Sequence, residues 1–133
     1  MTTDYRVIEN EEQPVLEAGP GSRSRVLAAR SNGTTCMAVV ERWLEPGAEV
    51  PLHRHPEETE EVIWVISGRG EFEVDGERVV VGADTTVVIP PTSFHAFRTV
   101  GEETLYLYSR YSAAVPVMLT DDGAEGESEV PGT

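Results

Sequence analysis

The sequence predicts an all-β sandwich or barrel. Short runs rich in Val, Ile, Thr, Tyr and Phe alternate with turn signals about every 8 to 12 residues. Apolar residues do not recur with a clear helical period anywhere in the chain. Many short strands with regular turns are typical of sandwiches and barrels.

Ten segments have the composition of strands. In chain order they are residues 5–8, 25–29, 35–44, 49–53, 61–67, 71–74, 77–81, 85–89, 94–99 and 104–111. The dipeptide Asp75-Gly76 lies between the runs EFEV and ERVV, which is the strongest hairpin signal in the chain. The run TLYLYSRY carries bulky residues on both faces, which predicts that the strand is covered on both sides.

The length of 133 residues fits a single domain that can bury a core without disulfides. We expect an N-terminal arm at residues 1–20, a β domain at residues 21–120 and a disordered acidic tail at residues 121–133. The tail prediction rests on five acidic residues, no basic residue and several small ones.

The charge balance excludes some partners. Ten basic residues, all Arg, oppose 24 acidic ones for a net charge of -14. Because nucleic acids and anionic membranes need a cationic face, we expect neither as a partner. The single cysteine, Cys36, allows no internal disulfide and is expected to be a small buried hydrophobe. Without a signal-like start or a spanning apolar run, the predicted location is the cytoplasm.

The three histidines of the chain suggest a metal site. His53 and His55 alternate along a predicted strand, so both imidazoles can point to one face. A carboxylate follows within HRHPEETEEV, and His95 comes forty residues later after the turn IPPTSF. Divalent metals take three or four such nitrogen and oxygen ligands at one point.

Two stretches resemble the two motifs of the cupin family. GAEVPLHRHPEETEEVIWVISG resembles the first motif, with glycine, His-x-His, glutamate and glycine, and GADTTVVIPPTSFHAFRT resembles the second. The resemblance covers about half of the chain, near residues 44–111. It implies a double-stranded β-helix, that is, a jelly-roll barrel. The second motif departs from the family pattern in a longer turn before Pro90, in Thr92 for glycine and in Thr99 for asparagine.

The same resemblance implies one divalent metal ion per chain, Fe, Zn, Mn or Ni, bound by His53, His55, a glutamate and His95. Two residues are candidates for this glutamate. Glu61 has the spacing of the family motif when residues are counted to the closing glycine, and Glu60 has it when they are counted from His55. We favour Glu61, because the glycine fixes the strand end while a loop absorbs an insertion. If the Glu61 side chain points into the barrel, strand alternation predicts that Ile63 and Val65 also point into it and that Trp64 points outward. The sequence identifies no further catalytic residue.

The predicted function is that of a metal-dependent small-molecule enzyme. We expect an oxygenase of the dioxygenase type, acting on an aromatic or enol-rich substrate between apolar walls. The alternatives are a non-redox isomerase, cyclase or lyase, for example in polyketide metabolism, and a sensor module that only binds. The resemblance also implies a homodimer, which the bulky strand TLYLYSRY favours.

Overall fold

The computed structural model describes residues 5–56, 58–120 and 125–129, which form twelve strands and two short 3-10 helices. The 3-10 helices span Asn10–Glu12 and Arg30–Asn32. The strands are β1 Val15–Glu17, β2 Ser22–Ala28, β3 Ala38–Leu44, β4 Glu49–Arg54, β5 Glu61–Ser67, β6 Gly70–Val74, β7 Glu77–Val81, β8 Thr85–Ile89, β9 His95–Thr99, β10 Leu105–Tyr111, β11 Val117–Thr120 and β12 Glu125–Glu129. Neither helix in the described part of the chain is long and apolar enough to cross a membrane.

The strands form two six-stranded antiparallel sheets. Sheet A has the order β1-β2-β3-β10-β5-β8, and sheet B has the order β12-β11-β4-β9-β6-β7. Several neighbours come from distant parts of the chain, as in a jelly roll: β10 lies between β3 and β5, and β9 lies between β4 and β6. The predicted all-β jelly-roll class is confirmed, with the difference that, among the described residues, hydrogen bonds do not close the two sheets into one barrel.

The core lies between the sheets and follows the two-residue alternation of the strands. On β5, Ile63 and Val65 are fully buried while Trp64 is half-buried on the outer face, as expected with Glu61 inside. Phe72 of β6 and Phe97 of β9 stack at 5.0 Å from sheet B. Each such side chain contributes about 1.5–3 kcal/mol by burial.

The sequence located the inner strands better than the ends of the chain. Strands β5, β7 and β8 have the predicted bounds, and Asp75 and Gly76 form the predicted hairpin turn with φ of 50° and 86°. The predicted strand at residues 5–8 is wrong, because this segment pairs with no strand of the described chain. Strands β1, β11 and β12 were not predicted.

Both predicted flanking segments contain a strand. Within residues 1–20, β1 pairs with β2 at the edge of sheet A. Within residues 121–133, β12 pairs with β11, and the remaining residues of the predicted tail lie outside the described part of the chain.

The outer face of sheet A carries aromatic side chains. Trp43 stacks on Tyr106 at 5.5 Å, and Trp64 meets Tyr108 edge-on at 6.1 Å. All four are half-buried, and the guanidinium groups of Arg23 and Arg25 also lie over the Trp43 ring. Cys36, expected in the core, is exposed, because β3 begins only at Ala38.

Candidate metal centre

His53 lies near the end of β4, His55 follows that strand, and His95 is the first residue of β9. His53 is paired directly with His95 across these strands, so their side chains share the inner face of sheet B. His55 follows β4 immediately and turns inward as well. All three imidazoles are at most 3% exposed, and their ring centres are 4.2 to 5.2 Å apart.

Glu61 brings a carboxylate to this cluster from the opposite sheet. Its Oε1 lies 3.1 Å from His55 Nε2 and 3.0 Å from His95 Nε2. One ligand atom from each of His53, His55, Glu61 and His95 lies within 4.8 Å of the others. The four side chains therefore form a buried group that could hold a metal ion.

The structure separates the two candidate glutamates. Glu61 is the first residue of β5 and is 2% exposed at the centre of the cluster. Glu60 is exposed outside it, and its backbone N–H donates to Ser112 Oγ at 2.8 Å. The register of β5 thus places Glu61, and not Glu60, beside the histidines.

Two backbone carbonyls orient the imidazoles. His53 Nδ1 donates to the carbonyl of Pro51 at 2.8 Å, and His95 Nδ1 donates to the carbonyl of Ser93 at 2.9 Å. With the proton on Nδ1, the Nε2 lone pair of each ring is directed to the centre. This arrangement is typical of metal-ligating histidines.

The protonation of the cluster without a metal also follows from its geometry. Burial, and then the nearby His95, lower the pKa of His53 to about 3, so this ring is neutral. Burial lowers the pKa of His95, but the hydrogen bond and charge of Glu61 outweigh it and raise the pKa overall. Burial raises the pKa of Glu61, but its bonds to His55 and His95 hold it well below the usual range. A divalent cation would replace the proton that His95 shares with Glu61.

The turn before His95 is held tightly despite the missing motif glycine. Thr92 adopts a left-handed φ of 67°, and Ser93 N–H donates to the carbonyl of Pro90 at 3.2 Å. This is the turn position where glycine is usual, and a β-branched residue there is strained. The threonine therefore preserves the turn at a cost in strain.

Sequence reasoning missed two buried polar residues beside the cluster. Tyr111 is paired directly with Glu61, and its ring centre lies 5.2 Å from that of His55. Arg42 is 4% exposed, and its Nη2 donates to Tyr111 Oη at 3.4 Å. The alternation in AVVERWL could have placed Arg42 on the face of Val40 and Leu44. The expectation of purely apolar walls is wrong on this side.

A family model described as a cupin domain matches residues 42–111, which contain all four side chains of the cluster. The chain belongs to the cupin domain family.

This cupin is similar to two curated proteins. It is 36% identical over 112 residues to the polyketide synthase CurC of Streptomyces cyaneus, covering 84% of this chain and 71% of that protein. It is 31% identical over 72 residues to a 5-nitrosalicylic acid 1,2-dioxygenase of Bradyrhizobium, covering 54% of this chain and 34% of the enzyme. It thus spans about a third of the dioxygenase.

A solved structure supports the fold. The cupin aligns with the oxalate decarboxylase of Bacillus subtilis, a protein with Mn(II) centres, at a TM-score of 0.74 and 24% identity. The alignment covers 85% of this chain and 31% of the decarboxylase. At this identity the likeness shows a shared jelly-roll fold.

Proposed function

We propose that this cupin is a divalent-metal-dependent oxygenase that acts on a small aromatic or enol-rich molecule. The observation that carries the proposal is the convergence of His53, His55, Glu61 and His95 at one buried point. Three imidazoles and one carboxylate suit Fe, Mn, Ni or Zn, and their Nδ1 contacts keep two of the rings in ligating form.

Four protein ligands leave open positions on a six-coordinate ion. An ion held there would supply Lewis acidity and, where it is redox-active, electrons for oxygen chemistry. The protein's own part is to orient the substrate and exclude water. Ile63 and Val65 extend the inner wall from Glu61, and both are fully buried.

Tyr111 places a phenol beside the cluster, because it is paired directly with Glu61 and its ring centre lies 5.2 Å from that of His55. Burial, and then the charge of Glu61, raise the pKa of its phenol, so it stays protonated throughout the neutral range. A neutral phenol can donate a hydrogen bond to a substrate oxygen, or a proton to a developing enolate. It supplies an acid that the three ligating histidines do not.

The similar proteins support this substrate class. The dioxygenase relative favours ring oxygenation of an aromatic compound. The polyketide synthase relative, which matches more of the chain, favours a polyketide-type substrate rich in enols and phenols. It also favours the second candidate, a non-redox cyclase or isomerase in which the ion polarises a carbonyl and Tyr111 moves the proton.

The deciding experiment restores single metals to the metal-free protein. Fe(II), Mn(II), Ni(II) or Zn(II) is added, and phenols, salicylates and poly-β-keto model compounds are assayed with and without dioxygen. Turnover that needs dioxygen and a redox-active metal supports the oxygenase. Turnover without dioxygen, for which Zn(II) is sufficient, refutes the oxygenase and supports the cyclase or isomerase. Binding without turnover for every metal supports the sensor module and refutes both enzymes. His53→Ala serves as the metal-deficient control.

We also propose a cytoplasmic homodimer. The half-buried aromatic face of sheet A, formed by Trp43, Trp64, Tyr106 and Tyr108, is a suitable contact surface. Sedimentation at micromolar concentration should give the mass of two chains. A single-chain mass would refute the dimer without affecting the metal centre.

A further inference from the structure

A surface pocket of about 490 Å³ lies at one end of sheet A. It is lined from three parts of the chain that the sheet brings together. Met37 comes just before β3, Glu60 and Val62 flank the first residue of β5, and residues 110–112 come at the end of β10. Because these segments belong to adjacent strands, the pocket is a feature of the folded sheet and not of a single loop.

The pocket opens on the outer side of the sheet. Tyr111 and Glu61 are paired across β10 and β5, and both are buried on the inner side. Arg110 and Val62 are the next pair along the same strands, so their side chains point to the opposite, outer side. The sheet therefore lies between the pocket and the group of four metal-ligating side chains.

Hydrogen bonds hold one wall of the pocket in place. Ser112 Oγ accepts the N–H of Glu60 at 2.8 Å and donates to the carbonyl of Glu58 at 3.1 Å. The N–H of Ser112 donates to the carbonyl of Glu60 at 3.0 Å. These contacts tie the loop before β5 to the end of β10. A wall that is already ordered lowers the cost of binding a ligand.

The side chains around the pocket suit an aromatic ligand. Met37 is 47% exposed, and a thioether makes favourable contacts with ring edges. The guanidinium of Arg110 is exposed and can stack on the face of a ring, while Val62 adds an apolar surface. Glu60 and Arg110 carry opposite charges, so the pocket is neutral on balance and favours a neutral molecule.

The volume sets the size of the ligand. A cavity of about 150 Å³ holds one benzene molecule, so about 490 Å³ has room for about three rings. Pockets of this size are typical of sites for small organic molecules.

We propose that this pocket is a second binding site, outside the space between the sheets, which takes a neutral aromatic molecule of about three rings. The site is separate from the metal centre and does not depend on the reaction that occurs there. The net charge of -14 repels anions from the surface but leaves a neutral ligand unaffected.

The test uses N-phenyl-1-naphthylamine, a neutral compound with three aromatic rings whose fluorescence rises in apolar surroundings. Met37→Glu places a charge at the pocket and should weaken its binding about 10- to 100-fold. Val80→Glu is the matched control, because Val80 is 45% exposed but lies in β7, at the edge of the other sheet. It should bind the probe as the wild type does. Arg110→Gln, which changes only an exposed side chain, should weaken binding about 2- to 5-fold.

Cys36 locates the bound probe. It lines the pocket, is exposed and is the single cysteine of the chain. At a probe concentration about ten times the Kd, the rate at which iodoacetamide alkylates Cys36 should fall about 10-fold, because only about a tenth of the pockets is then empty. Met37→Glu should show almost no protection at the same concentration.

Four results would overturn the second site. The first is equal probe affinity in Met37→Glu and the wild type, and the second is probe binding that leaves the alkylation of Cys36 unchanged. The third is loss of binding in the metal-deficient His53→Ala, which would place the probe at the metal centre. The fourth is alkylation that slows as the protein concentration rises without probe, which would show that a second chain covers the pocket. If Met37→Glu does not fold, Arg110→Gln decides, and unchanged affinity in that variant refutes the site. Metal content and turnover test the proposed function separately.

Discussion

Replacing Glu61 by Gln should damage the metal centre, whereas the same change at Glu60 should not. The two residues are adjacent and chemically identical, so the pair is internally matched. Glu61 is buried with its Oε1 about 3 Å from two imidazoles, while the Glu60 side chain is exposed. Gln keeps the shape of the side chain and removes its charge.

The magnitude follows from the number of ligands. Four-ligand zinc sites bind with about 10–16 kcal/mol, so one ligand of four carries about 2.5–4 kcal/mol. Losing the carboxylate should therefore weaken metal binding about 70- to 900-fold. At a metal concentration about a thousand times the wild-type Kd, the wild type gains about 4 kcal/mol of stability, and Glu61→Gln only about 0.4–1.6 kcal/mol.

Thermal unfolding with and without Zn(II) measures this difference. In a domain of this size one kcal/mol corresponds to about 3–6 °C in Tm, so the metal-induced rise should fall to less than half in Glu61→Gln. Glu60→Gln should show the full rise, with a metal-free stability within about 0.5 kcal/mol of the wild type. If Glu60→Gln loses the rise and Glu61→Gln keeps it, the assignment of the ligand is wrong.

Two further predictions concern pH and the backbone. Because the pKa of His95 is raised by folding, protonated His95 stabilises the metal-free protein fully below about pH 6.5, and this stabilisation is lost as the pH rises through the folded-state pKa. The pKa of Glu61 is lowered by folding, so its contribution to stability is already complete above the usual pKa of a glutamate and does not change in this range. The metal must displace the His95 proton, so the Zn(II)-induced rise in Tm, measured by the same thermal unfolding, should be larger at pH 8 than at pH 5.5. An equal rise in Tm at the two pH values would contradict this prediction. Gly68→Ala should cost more than about 2 kcal/mol in urea unfolding, because φ is +82° and a Cβ would lie 2.5 Å from the Thr104 carbonyl oxygen. Gly76→Ala, with φ of +86° and open space, should cost only about 1 kcal/mol, and equal losses would refute the steric argument.

The strands that local pattern could locate are those with strong alternation and clear turns. The run EVIWVIS at β5 and the Asp75-Gly76 hairpin were placed correctly, because side-chain alternation and turn chemistry act within a few residues. Residues 5–8 are also rich in strand formers, yet they pair with no strand of the described chain. The short β1 has little pattern of its own, and its pairing with β2 defines it.

The sequence by itself determined the identity of the histidines at the centre, because the chain has only three and their spacing matches strand geometry. The sequence favoured Glu61 but left Glu60 open, and the tertiary structure decided between them, since a shift of one residue reverses the face and the pairing of β5 with β10 fixes the register. The same holds for Arg42. Its alternation with Val40 was visible in the sequence, but only the pairing of β3 with β2 and β10 places its buried guanidinium against Tyr111, whose ring packs on His55. Local sequence determines which side chains share a face of a strand, whereas the packing of distant strands determines what that face meets.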